Sequence, residues 1–311
     1  TTITTIRINN VMEKIIIDIG SGSLKAYSVD SERNIEQIYK KTIMFKVHFT
    51  KENGINEGDK EQLIKSLNEI KKMNPAKEIH AYATSIFRLM NEKQSEELKN
   101  EIIDKTGILL SIVTPEKEAK YIEKSVGNIP EISGPYLVFC VGGSSTELIV
   151  LEKGEEREHY TVEFAVGDLL KKFPQITENV CSVNYNDIYK FIEGNFTALP
   201  KTKCKYAIFT GSHLTYNKAV GNKMEDNKFF YKKGIPKFIT TEDYKNDTIR
   251  TVEQRTLNEM KEKYSQDPKY MEGTRACVTL ITYILEKMDS KYIFPTDLNM
   301  IDGIVNELYK D

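Results

Sequence analysis

Short apolar runs of strand type and stretches with helical spacing follow one another along the chain, the pattern of an α/β protein. Lys14 to Gly20, Leu24 to Asp30 and Thr42 to His48 predict three consecutive strands of a meander. From Asp59 to Met73 the apolar positions Leu63, Ile64, Leu67, Ile70 and Met73 fall at helical intervals, and Glu78 to Thr84 predicts a strand again. Ser85 to Thr106 predicts a helix, Leu109 to Val113 a short strand, and Pro115 opens a helix running to Val126. The same order restarts at Tyr136, with strands over 136–142, 147–152 and 159–164, helices from Gly167 and over 185–196, and a strand at Tyr206 to Thr210. Met224 to Asp247 is rich in Lys, Asp and Asn with weak periodicity and predicts a surface excursion. Thr248 to Tyr264 and Arg275 to Met288 predict helices, Tyr292 to Pro295 a strand and Met300 to Tyr309 a terminal helix.

The repetition is at domain scale, so the expected architecture is two similar α/β halves facing each other across a cleft. Gly127 to Gly134, with Pro130, is the first crossing, and a second near Pro295 returns the chain to the first half. The expected domains are 1–127, completed by about 297–311, and 128–296. A length of 311 residues suits two cores.

Composition narrows the function classes. With 40% hydrophobic and 29% charged residues and a net charge of −2, nothing global draws the chain to nucleic acid or an anionic membrane. No apolar run approaches the roughly 18 to 20 residues of a membrane span, and residues 1–12 read as a polar extension without a signal-peptide core, so a cytoplasmic location is expected. Cys140, Cys181, Cys204 and Cys277 form no CxxC pair, and His48, His80, His159 and His213 no HxxxH or HxH. The cysteines are expected to be reduced and structural, and no histidine metal centre is expected.

One motif occurs in both halves. Ile15-Ile16-Ile17 leads into Asp18-Ile19-Gly20-Ser21-Gly22-Ser23, and Tyr136-Leu137-Val138-Phe139 leads into Cys140-Val141-Gly142-Gly143-Ser144-Ser145-Thr146-Glu147. Each reads as strand, tight turn of small residues, strand, able to point N–H and O–H donors at a phosphate. The alternative is two ordinary hairpins. Asp18 ends an apolar strand, where a carboxylate needs a metal or donors; it either caps the turn or holds Mg²⁺ or Mn²⁺. Lys25 and Arg88 offer positive charge, Arg88 as a planar fork.

Taken in order, these segments resemble the exopolyphosphatase and guanosine-pentaphosphate phosphatase (Ppx/GppA) family, within the actin, hexokinase and Hsp70 superfamily of paired ribonuclease H-like domains. Asp18 to Ser23 resembles its first phosphate motif, and Gly142 to Glu147 its second. Ala83-Thr84-Ser85 with Arg88 and Asn91, Pro115 to Lys120, Gly167, Thr210-Gly211-Ser212 and Arg275-Ala276 match further family segments. The resemblance implies a phosphoanhydride hydrolase that releases the terminal phosphate of polyphosphate or a guanosine pentaphosphate-type nucleotide. It implies Glu118 as the residue orienting the attacking water, Glu147 as a second acid, and Gly211 and Ser212 among the phosphate contacts.

The chain departs from the family pattern at Cys140, where the second motif usually begins with Asp, at Lys117 in place of a glutamate and at Pro115 in place of a glycine. A neutral thiol does not replace a hard oxygen anion beside Mg²⁺. The rival reading is therefore a phosphoanion or nucleotide sensor that has lost turnover through Cys140; a sugar or acetate kinase is a third. The apolar faces of the late helices serve either the core or a homodimer.

Overall fold

The computed structural model describes residues 13–43, 45–265 and 267–309, and the expectation for residues 1–12 lies outside them. The chain forms two compact units, Thr1–Thr114 with Glu307–Asp311, and Pro115–Asn306.

In the first unit the order is β1 (Lys14–Ile19), β2 (Ser23–Val29), β3 (Ile35–Thr42), α1 (Phe45–His48), α2 (Glu57–Met73), β4 (Glu78–Ala83), α3 (Glu92–Thr106) and β5 (Leu110–Ile112). The sheet order is β3-β2-β1-β4-β5, antiparallel through β3-β2-β1 and parallel through β1-β4-β5. Because side chains alternate across a strand, Ile15, Ile17 and Ile19 share one face and pack with Leu63, Leu67 and Ile70 of α2 and Leu98 and Ile102 of α3. Asp18 belongs to the other face, away from that helical layer.

The third strand is Ile35–Thr42, not Thr42 to His48. It is an edge strand with no buried position, so it lacks an apolar alternation, whereas buried Phe45 belongs to a helical turn packed edge-on against Phe87. The helix expected over Ser85 to Thr106 is divided. A 3-10 turn, Ser85–Leu89, ends before Asn91, whose side chain accepts from Gln94 N while Gln94 returns a bond to Asn91 N, a capping box that starts α3.

The second unit runs α4 (Pro115–Val126), β6 (Tyr136–Val141), β7 (Thr146–Glu152), β8 (Glu155–Val162), α5 (Val166–Lys172), α6 (Tyr185–Asn195), β9 (Tyr206–Phe209), α7 (His213–Val220), β10 (Glu225–Asp226), β11 (Lys237–Thr240), α8 (Thr241–Glu253), α9 (Leu257–Lys263), α10 (Thr274–Lys287), β12 (Tyr292–Pro295) and α11 (Met300–Leu308). Its sheet order is β10-β11-β12-β9-β6-β7-β8. The stretch β8-β7-β6-β9-β12 has the same order and the same antiparallel and parallel pairings as β3-β2-β1-β4-β5. The expected repeat is thus a repeat of topology, with β11 and β10 added at one edge.

Helix α4 was expected with the first half but packs on this second sheet. Ala119, Ile122 and Val126 of α4 cluster with Tyr136, Val138, Ile149 and Leu151, while Leu137, Phe139, Leu148 and Val150 face the layer of α5, α6, α8 and α10. The segment expected as a surface excursion contributes β11 and the buried Phe230, Ile235, Phe238 and Ile239. Its apolar residues are too few and too unevenly spaced to signal this from sequence. The helix expected over Thr248 to Tyr264 is two helices, α8 and α9, with Thr256 capping the second through Glu259 N. The apolar side of α10 lies in the unit's core.

Candidate active-site elements of the two units

In the first unit the turn between β1 and β2 is closed by Gly20 N donating to Ser23 O at 2.9 Å. The carbonyls of Ser21 and Gly22 accept from Lys46 N (3.0 Å) and Ile43 N (3.2 Å), so the segment after β3 holds the turn from behind. A Cβ on Gly22 would meet nothing within 4 Å, which leaves the tip open to an approaching group. Strand register sets Asp18, Lys25 and Lys40 in one cross-strand row, with Tyr82 on the other side of Asp18. Burial raises the Asp18 carboxyl above its usual value, and Lys25 opposes that rise. Burial, with Lys25 alongside, lowers the Lys40 amine to about 8.

Arg88 lies in the 3-10 turn and donates Nη1 to Val113 O at 3.4 Å, so the Arg88 fork is partly engaged by backbone. The same turn begins with Ser85 at φ +56°, a left-handed conformation uncommon for serine, and Thr84 N donates to Ile19 O at the root of the hairpin. Ser85 was not among the expected site residues. The signal available was the small-residue segment at the end of a strand.

The second unit repeats two of these bonds. Gly142 N donates to Ser145 O at 2.9 Å, and Gly143 O accepts from Gly167 N at 2.9 Å, as Ser21 O accepts from Lys46 N. A Cβ on Gly142 would press on Ser145 O at 3.0 Å, so the tightness of this turn accounts for the glycine. Gly143 is exposed and Ser144 half-buried at the tip. Thr146, expected as a phosphate donor, is fully buried and donates its hydroxyl to Phe164 O at 2.8 Å; it braces the hairpin. Gly211, at φ +110°, and Ser212 lead into α7. The first amides of α7 are already taken, His213 N and Leu214 N by Thr296 O and Thr215 N by Asp297 Oδ1. Gly211 N is likewise taken, by Leu298 O at 2.7 Å, so any phosphate contact at this place falls to the Ser212 hydroxyl, which caps no helix amide.

Cys140, Glu147 and Thr161 occupy the cross-strand row equivalent to Asp18, Lys25 and Lys40. The Glu expected to close the hairpin therefore stands where the first unit has a lysine. Cys140 packs with the α4 layer, and α4 carries Glu118. Burial first, then the charges of Glu118 and Glu147, push the Cys140 thiol up to about 12. It is a neutral thiol at physiological pH, neither a nucleophile nor a ready metal ligand.

Glu147 is 2% exposed. Its Oε2 lies 3.1 Å from His159 Nε2 and accepts the Thr161 hydroxyl at 2.6 Å, while Oε1 is buried without a hydrogen-bond partner among the described residues. An acceptor left so costs about 1 to 3 kcal/mol, the condition of an atom placed for a ligand or a water. The bond to Glu147 raises the His159 imidazole above its ordinary value, against the effect of its burial. Sequence spacing missed His159 and Thr161, because they join Glu147 through the β7–β8 register rather than through a motif. Among the described residues no group of three or more His, Cys, Asp and Glu is placed to hold a metal ion, and no helix is long and apolar enough to cross a membrane.

Residues 35–175 match the model of the Ppx/GppA phosphatase family. The chain is similar in fold to the Ppx/GppA family member of Aquifex aeolicus, with 19% identity, a TM-score of 0.70, and 96% of this chain and 97% of that chain covered. It is likewise similar to an exopolyphosphatase from Cytophaga hutchinsonii, with 15% identity, a TM-score of 0.74, and 95% and 97% covered. No curated protein matches the chain. The resemblance to the Ppx/GppA family thus holds in sequence across the second hairpin and in fold over nearly the whole chain.

Proposed function

We propose that the protein is a phosphoanhydride hydrolase that removes the terminal phosphate from polyphosphate or from a guanosine pentaphosphate-type nucleotide. The observation that carries this reading is the orphaned Oε1 of Glu147, beside a turn closed by the same hydrogen bond as the turn after Asp18. The open tip at Gly22 and the tip that carries Gly143 and Ser144 are the phosphate-binding elements, with Lys25 adding charge in the first unit. Glu118 orients a water for in-line attack on the terminal phosphorus and takes its proton; the anhydride P–O bond breaks and the shortened phosphate departs. Glu147 assists from β7. Mg²⁺ or Mn²⁺, held by Asp18 and phosphate oxygens, would neutralise phosphate charge when bound. Lys25 beside Asp18 makes this a thin donor set, so the metal would depend largely on the substrate's own oxygens.

The neutral Cys140 favours one second reading, a phosphoanion sensor without turnover. Phosphate release from short and long polyphosphate and from guanosine pentaphosphate, with Mg²⁺ or Mn²⁺, separates the two. For the hydrolase, release is measurable in the wild type, falls on the order of 10² to 10⁴-fold in Glu118→Gln, and rises in Cys140→Asp. Tight binding without release in the wild type, with release gained in Cys140→Asp, would establish the sensor instead.

A further inference from the structure

We infer that His159 is a positioning residue for Glu147: with Thr161 it clamps Oε2 and leaves Oε1 for the reacting water or a phosphate oxygen. The inference rests on the hydrolase reading, in which Glu147 acts on substrate. Three strands meet in this arrangement. Cys140 on β6, Glu147 on β7 and Thr161 on β8 share a row, and His159, two residues before Thr161 on the same strand, has its side chain on the same side of β8. Both donors reach the same carboxylate oxygen, at 3.1 Å and 2.6 Å, and Thr161 Oγ1 lies 3.3 Å from His159 Nε2, so the two brace each other. The partition is complete: one oxygen has two partners and the other has none. A carboxylate held this way cannot rotate without breaking both bonds, which keeps Oε1 in one place. The first unit has no such clamp, because its row carries Lys25 and Lys40 at these positions.

The charged and titratable groups acting on His159 are Glu147, Glu156 and Glu116, all of which favour the imidazolium. Glu147 faces His159, Thr161 and Cys140. The charge-assisted bond is therefore present while the imidazole is protonated and weakens as it deprotonates, placing a decline of turnover on the alkaline side of its raised midpoint.

The test combines two readouts on the full chain. The first follows the His159 ring-proton chemical shift through a pH titration. The midpoint is expected above about 6.5 in the wild type and to move down by about one unit in Glu147→Gln, with Thr161→Val giving a smaller shift if the first variant folds poorly. A midpoint that neither substitution moves would overturn the clamp. The second compares phosphate release in His159→Phe, which removes the donor, and His159→Gln, which keeps one. The expectation is a kcat lower on the order of ten- to a hundredfold in the first, with KM retained, loss of the wild-type alkaline limb and substantial recovery in the second. Equal losses in both variants, or a change confined to KM, would also overturn it. If the wild type releases no phosphate while the His159 midpoint still follows Glu147, the hydrolase reading fails and the clamp stands.

Discussion

His159 and His213 titrate in opposite directions because one has gained a carboxylate and the other has lost water. For His159 the folded value is raised, so its contribution to stability is full below about 6.5 and is lost as pH rises through the raised value. His213 is 1% exposed, stacked on Tyr216 with Phe209 tilted against it, and has Nε2 2.8 Å from the Tyr244 hydroxyl; burial lowers its imidazole to about 3. The unfolded chain then binds a proton that the folded chain refuses, and stability falls by about 1.4 kcal/mol for each pH unit below about 6.5. Urea midpoints of the wild type and His213→Gln at pH 7 and pH 5.5 should show the stability gap between them narrowing in acid. Parallel losses in the two proteins would contradict a neutral His213. Neither behaviour is legible from sequence, where all four histidines look alike; each follows from a neighbour brought by the sheet or by α8.

At the scale of elements, Arg275 joins three segments that sequence leaves unrelated. It is fully buried on α10 and donates to the carbonyls of Ile176 (2.9 Å), Glu178 (2.7 Å), Asn179 (3.0 Å) and Arg255 (2.7 Å), with a longer contact to Thr251 O at 3.4 Å. It thereby fixes the loop after α5 and the break between α8 and α9. Arg275→Met should keep much of the volume but strip these carbonyls of their donor, lowering stability by about 3 kcal/mol or more in urea unfolding; a loss under 1 kcal/mol would show that water replaces the guanidinium easily. The R-A pair was visible in the sequence as a family segment, but its work is backbone organisation rather than contact with a phosphate. The α8–α9 break was not visible, since the apolar spacing continues across it and only the Thr256 cap and the Arg275 donors interrupt the helix.

At the scale of the whole molecule, the path of the chain depends on close backbone approaches that only a glycine permits. A Cβ on Gly303 of α11 would lie 1.8 Å from Tyr121 O on α4, a distance no side-chain adjustment relieves because the obstacle is backbone. Gly303→Ala should separate α11 from α4 and lower the thermal midpoint by several degrees, corresponding to about 2 kcal/mol or more. An unchanged midpoint would mean that α11 docks elsewhere in solution. Under the proposed function this contact matters because α4 also carries Glu118, whose position follows that of the helix.

Sequence by itself determined the alternation of strands and helices, the doubled hairpin and the resemblance to the Ppx/GppA family. These depend on period, small residues at turns and order along the chain, all of which are local. It also marked Cys140 as the departure, since a residue type can be read without coordinates. The tertiary structure alone decided which neighbours act on those residues. Strand register put Glu147 at the position of Lys25 and set His159 and Thr161 against it, and the apolar face of α4 brought Glu118 to the side of Cys140. Register and packing arise from pairings between distant segments, and a shift of one residue in either strand would turn the same side chains to the opposite face.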